Sequence, residues 1–223
     1  LEGIILMHHG LFTFSDSAKE SYSKMIDLVS RSEDYLRSIN AFDGLAESDY
    51  QPQPEDYLQL AQCRRAASLH FGAPMVTSWK RDQKSVGFSS IDNVNDIATR
   101  GPVTPDHTLQ TKRIAAILDE SPAEGVDRFA AEYLDYFDRN DNGELTCLDP
   151  APRYAVWKGR GVLVFGANIK RYGVVSDIVE HTIRAVQWGE ALGGWKTLSE
   201  AEIFELEYWE LEQAKLKLAP ARN

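Results

Sequence analysis

Apolar residues recur along this chain with two periods, and the switches between them divide it into elements. Residues 4–7 (IILM) and 11–14 (LFTF) are short apolar runs on either side of Gly10, the pattern of two strand pieces joined by a bend. After Asp16 or Ser17, either of which can cap a helix, Tyr22, Met25, Ile26, Val29 and Leu36 recur near a 3.6-residue period. Residues 41–54 (AFDGLAESDYQPQP) read as a linker. Pro54 is placed to open a helix carrying Tyr57, Leu58, Ala61, Ala66 and Leu69, which Gly72-Ala73-Pro74 stops after about Phe71. Residues 75–79 and 85–89 predict two short strands about a charged turn, and 91–100 reads as irregular. Thr104-Pro105-Asp106 predicts a helix start with Thr104 as cap, the helix running to about Leu118. A further helix is expected over 125–137, with Phe129, Tyr133, Leu134 and Phe137 on one face. Strands over 153–157 and 162–165 flank Gly159-Arg160-Gly161. A long helix over 169–191 ends at Leu192-Gly193-Gly194, and Ser199 with Glu202 forms a capping box opening a last helix to about Leu218.

One pattern occurs twice. Residues 4–20 (IILMHHGLFTFSDSAKE) and 155–171 (AVWKGRGVLVFGANIKR) each read as strand, Gly-centred bend, strand ending in Phe, small residue, helix. Gly10 matches Gly161 and Phe14 matches Phe165; the bend carries His8-His9 in the first copy and Gly159-Arg160 in the second. Such duplication predicts two similar units. The paired strands are too close in sequence for a crossover, so they must be antiparallel. The expected fold class is α/β, with helices packed on a mixed, largely antiparallel sheet and an internal strand–Gly bend–strand–helix repeat.

Composition narrows the function classes. The 223 residues are 43% hydrophobic and 26% charged, an ordinary globular mixture. Lys and Arg number 24 against 34 Asp and Glu, a net charge of −10. Nucleic acids and anionic membranes need clustered cations, so neither is expected as a partner. A small phosphorylated substrate needs only a few. No apolar stretch approaches the length of a membrane span. Cys63 and Cys147 stand far apart with no C-x-x-C spacing, which favours free thiols and a cytoplasmic setting. The chain opens directly into an apolar run without an initiator Met, and residue 1 is therefore expected to lie inside a longer protein.

A His on a strand-end bend can present a ring nitrogen to a cleft, and neutral imidazole suits zinc. His8 and His9, being adjacent, would point to opposite faces, so at most one would serve a given site. LMHHGLFTF, followed by SAKESY and a helix, resembles the class II aldolase/adducin family, in which a strand ends in Asn-His-Gly and the His binds the catalytic zinc. His9 falls on that ligand and Gly10 on the Gly, whereas His8 stands in place of the Asn. GPVTPDHTLQTKR, LDPAPR, EHTIRAVQWGEALGGW and FELEYWELEQAKL resemble one branch, the bifunctional rhamnulose-1-phosphate aldolase/short-chain dehydrogenase proteins. The resemblance implies residues 1–42 as the end of an aldolase-like domain whose front is missing, 43–54 as linker, and 55–223 as a second, degenerate aldolase-like domain.

For the longer protein, the resemblance implies zinc-assisted retro-aldol cleavage of a ketose 1-phosphate to dihydroxyacetone phosphate and an aldehyde, and a homo-oligomer. The family's other two His ligands come from a His-x-His segment, and no His-x-His occurs in this sequence. His9 is the one ligand carried over, and the chain alone is expected to be inactive. The Gly-rich dinucleotide fingerprint is also missing, which places NAD in a dehydrogenase half outside this chain. The contrasting reading is a catalytically silent module for oligomerisation or domain docking, favoured by the replacement of the His bend in the second copy.

Two further motifs invite ligands. Thr104 and His107 sit at an expected helix start, where backbone N–H groups attract anions, with Arg100, Lys112 and Arg113 near in sequence. They are candidates for binding the phosphate or carboxylate of a substrate. Residues 138–149 (DRNDNGELTCLD) match the opening of a calcium loop, but Asp149 stands where a bidentate Glu belongs, and Pro150 and Pro152 forbid the exiting helix.

Overall fold

A computed structural model describes residues 1–7, 9–42 and 44–217, without the side chains of 215–217. The chain begins with an antiparallel hairpin, β1 (Gly3–Leu6) and β2 (Gly10–Thr13), followed by helix α1 (Ala18–Ser38). Ser17 caps α1 by accepting from the Glu20 N–H at 3.2 Å. The apolar stripe of α1 is real, yet none of its residues is buried.

Residues 44–53 carry no helix or strand, but they are not loose. The Ala46 N–H donates to Gln187 Oε1 at 2.9 Å and the Ser48 N–H to the Gln83 carbonyl at 3.0 Å. Helix α2 (Pro54–Phe71) then begins with proline in its first turn and ends at Gly72 in the left-handed region.

The centre is a four-stranded sheet of β3 (Val76–Lys80), β4 (Ala116–Leu118), β5 (Tyr154–Trp157) and β6 (Gly161–Gly166). Its order is β3-β6-β5-β4. The β3–β6 and β5–β6 pairs are antiparallel and β4–β5 is parallel, the mixed and largely antiparallel α/β arrangement expected. Strands β5 and β6 are buried on both faces and so read as continuous apolar runs. Ala155, Trp157, Leu163 and Phe165 face one core, shared with α2, α6 (Pro122–Asn140) and α8 (Glu200–Glu207). Tyr154, Val156, Val162 and Val164 face the other, shared with α4 (Val94–Thr99) and α7 (Ile169–Ala191). The result is three layers, helix on sheet on helix.

Four expectations are corrected. Residues 85–89 are not a strand but most of helix α3 (Gln83–Ser89), capped by Asp82, which accepts from the Ser85 N–H at 3.1 Å. All five residues are buried, and a short apolar run does not distinguish strand from helix by period. The irregular stretch contains α4, with Val94, Ile97 and Ala98 inward at helical spacing. The helix expected from Thr104 to Leu118 is a single 3-10 turn (Pro105–His107) and one turn of α-helix, α5 (Thr108–Thr111). Lys112 then takes φ 64° and the chain departs into β4. The last helix is broken at Tyr208 and Trp209 into α8 and α9 (Glu210–Lys217). Its expected end at Leu218 lies outside the described residues.

Candidate functional site

The two hairpins of the repeat share one pairing register. In the first hairpin Leu6 pairs with Gly10, and in the second Trp157 pairs with Gly161, so each turn has three residues. The third turn residue donates its N–H back to the last strand carbonyl in both: His9 to Leu6 at 3.1 Å, Arg160 to Trp157 at 2.9 Å. His9 and Arg160 therefore occupy one structural position. His8 lies outside the described residues.

The two turns are chemically opposite. His9 is exposed, its ring stacked on Phe12 with centroids 5.4 Å apart. Among the described residues no three His, Cys, Asp or Glu side chains converge on a point that could hold a metal ion. One imidazole does not fit a zinc ion, which needs three or four protein ligands, so no catalytic step can be derived through a metal from these residues.

The second turn is closed. The Arg160 guanidinium is paired with the Asp56 carboxylate, donates to Gln59 Oε1 at 3.0 Å and lies over the rings of Tyr50 and Trp157. Trp79 Nε1 donates to the Arg160 carbonyl at 2.8 Å, and the Gly161 N–H donates to Ser89 Oγ at 2.8 Å. A side chain at Gly161 would meet the Lys80 carbonyl, and its φ of 116° favours glycine as well.

Thr104 and His107 lie on the 3-10 turn. Thr104 is extended and makes no side-chain capping bond, so the cap expected of it is not formed. His107 is half-buried, with Nδ1 shielded and without a hydrogen-bond partner among the described residues. Burial lowers its basicity, with Asp106 acting in the opposite sense. Of the cations near them in sequence, Arg100 is paired with Asp96 and Glu190 and Arg113 with Glu132 and Glu200.

Lys112 goes elsewhere. It lines a cavity of about 210 Å³ where α5, the end of β6, the start of α7 and the 148–153 loop meet. The lining includes Gln110, Asp149, Arg153, Ala167, Arg171 and Glu207, but neither Thr104 nor His107. Arg153 is fixed by a two-point pair with Asp149 at 2.7 and 2.8 Å and donates to the Ala151 carbonyl at 2.8 Å. Burial alone would raise Asp149, but the Arg153 guanidinium overrides it and keeps the carboxyl ionised. Arg171 donates to Gln110 Oε1 at 3.0 Å. Glu207, 1% exposed, accepts from the Tyr133 hydroxyl at 2.8 Å and from Tyr136 at 3.1 Å, and burial pushes its carboxyl upward. The loop read as a calcium site is otherwise used: Asp141 accepts from the Leu145 N–H, Asn142 from the Glu144 N–H, and Asp149 holds Arg153.

Residues 55–216 match the family described as "Aldolase class II, second domain". The chain belongs to that family. It is 28% identical over 243 residues to the uncharacterized oxidoreductase YuxG of Bacillus subtilis (strain 168), covering 98% of this chain and 34% of that protein. The chain thus spans about a third of that relative's length. The crystal structure of YgbL from Klebsiella pneumoniae superimposes with a TM-score of 0.41 at 18% identity, over 66% of this chain and 64% of that one. No helix among the described residues is long and apolar enough to cross a membrane.

Sequence reasoning named Lys112 only as a neighbour of Thr104 and missed Arg153, Arg171, Asp149 and Glu207 as a group. They are separated by up to 95 positions and meet only once the sheet is ordered. The signal that could have found Lys112 is local: a lone Lys between Thr111 and Arg113, just ahead of the apolar run 114–118.

Proposed function

We propose that this chain is the second-domain portion, with the preceding hairpin and helix, of a longer class II aldolase that cleaves a ketose 1-phosphate of the rhamnulose type to dihydroxyacetone phosphate and an aldehyde. The observation that carries the reading is the family match across 55–216. The likeness to a protein named an oxidoreductase, of which the chain spans 34%, supports a fused NAD-dependent dehydrogenase elsewhere in the polypeptide. His9 is one zinc ligand and the others lie outside this chain. Residues 1–42 close the first domain, 43–54 connect, and 55–223 form the second. The assembly is a cytoplasmic homo-oligomer acting on sugar phosphates.

The test is release of dihydroxyacetone phosphate from rhamnulose 1-phosphate by the longer protein. Activity is expected there and not in the 223-residue chain alone. His9→Ala is expected to lower the rate more than about 100-fold while leaving aldehyde oxidation intact. Full cleavage by His9→Ala would sink the assignment of His9.

The closed turn at Arg160 favours a second reading for residues 55–223, a catalytically silent module for oligomerisation or docking. Sedimentation of the chain alone tests the module: it requires a stable dimer or larger, and a monomer argues against it.

A further inference from the structure

The 210 Å³ cavity contains an unsolved electrostatic problem. Lys112 is 3% exposed, and its amine has no hydrogen-bond acceptor among the described residues. The Tyr133 ring lies 3.8 Å from Nζ, and Glu207 and Asp149 favour the charge through space without hydrogen-bonding to it. An ammonium in that position lacks up to three acceptors, an unfavourable state for a buried charge. Its neighbours do not supply them. Asp149 is spent on Arg153, and Glu207 accepts from two tyrosines.

The other charged groups at the cavity are cationic or already paired. Arg153 and Arg171 each keep guanidinium N–H groups beyond those bonded to Asp149, Ala151 and Gln110. Ala167 stands one residue before Asn168, the cap of the 23-residue helix α7, so the positive end of that helix opens on the same space.

From this geometry we propose that the cavity binds a small organic phosphate, with Lys112, Arg171 and Arg153 holding the phosphate oxygens. A volume of 210 Å³ accepts a molecule about seven waters in size. The donors outnumber what the two oxygens of a carboxylate can satisfy, whereas three phosphate oxygens can use them. Every lining residue lies 62 or more positions from His9 in sequence, and the site requires no metal. It goes beyond the aldolase reading and stands whether or not the longer protein cleaves a sugar phosphate.

The test is titration calorimetry of the 223-residue chain with glycerol 3-phosphate, inorganic phosphate and lactate. Saturable millimolar or tighter binding of glycerol 3-phosphate is expected, weaker binding of inorganic phosphate, and at least tenfold weaker binding of lactate. Arg171→Gln, at a partly exposed position, is expected to weaken glycerol 3-phosphate binding about tenfold without altering the far-ultraviolet spectrum. Lys112→Met should abolish it. No heat with glycerol 3-phosphate overturns the site. Equal affinity for lactate overturns the phosphate assignment, and unchanged affinity in a folded Arg171→Gln variant overturns the placement. None of these outcomes depends on aldol cleavage, so failure here leaves the reading of the parent enzyme unaffected.

Discussion

At Lys112 the backbone takes φ 64° and ψ 173°, a region ordinarily left to glycine, and the side chain ends in a buried amine. Burial brings its pKa from the ordinary 10.5 down to about 8, with Arg153 pushing the same way. Below pH 8 both folded and unfolded chains hold the proton, and the folded state bears the whole cost of burying charge. Between 8 and 10.5 only the unfolded chain binds it, so this residue's contribution to stability rises with pH. Lys112→Met is therefore expected to be more stable than the parent at pH 7 by up to about 3 kcal/mol, an advantage that fades by pH 10.5. Urea midpoints of both proteins at the two pH values check it; an advantage that grows with pH would contradict it. Asp56 is a buried charge whose partners are in place. It is 1% exposed and accepts from the Tyr50 hydroxyl, the Gln53 N–H and Arg160. Asp56→Ala should cost about 2 kcal/mol, less than a fully buried pair because a third of the Arg160 side chain is exposed.

Among the elements, glycine separates close approach from open helix. A methyl group at Gly87 in α3 would fall 2.0 Å from the Ala46 carbonyl, whereas one at Gly173 in α7 would touch nothing. Gly87→Ala should lower the melting temperature, costing about 2 kcal/mol, and Gly173→Ala should raise it by about 0.7 kcal/mol of helix propensity. Equal effects would argue that residues 44–53 do not lie against α3. Elements with a strong period or a capping signal were legible in advance: α7 matched over Ile169–Ala191, and Pro54, Gly72 and Ser199 marked helix ends correctly. Residues 85–89 and 104–118 were not, because both hold short buried apolar runs whose state is decided by neighbours. In the first, Asp82 captures Ser85; in the second, the Lys112 backbone turns out of the helix so that Ala116–Leu118 can pair with β5. The candidate site divides the same way. His9 was visible as a residue type on a bend, but the cavity depends on groups from separate segments that no local pattern links.

Over the whole molecule, burial is uneven. Helix α7 buries Val175, Ser176, Val179, Ile183 and Val186 against the sheet, while α1 buries nothing and leaves Tyr22, Ile26, Val29 and Tyr35 exposed. Helices draw most of their stability from tertiary packing, so the two should open at very different free energies. Hydrogen exchange of the 223-residue chain is expected to show the α1 amides exchanging well before those of α7. Matched protection would mean that α1 is covered in solution. The paired turns carry a different lesson, about reversibility. The turn that holds an exposed imidazole in one copy is a rivet in the other, and the two are not interchangeable by one substitution. Arg160→His would supply a ring nitrogen at the right position but strand the Asp56 carboxylate, with Ser89 and Trp79 still gripping the backbone around it. A ring nitrogen placed at that turn would come at the expense of the packing that holds it. Whatever that turn is asked to bind, a change at Arg160 is felt first as a buried carboxylate without its cation, so substitutions there read out as folding before they read out as chemistry.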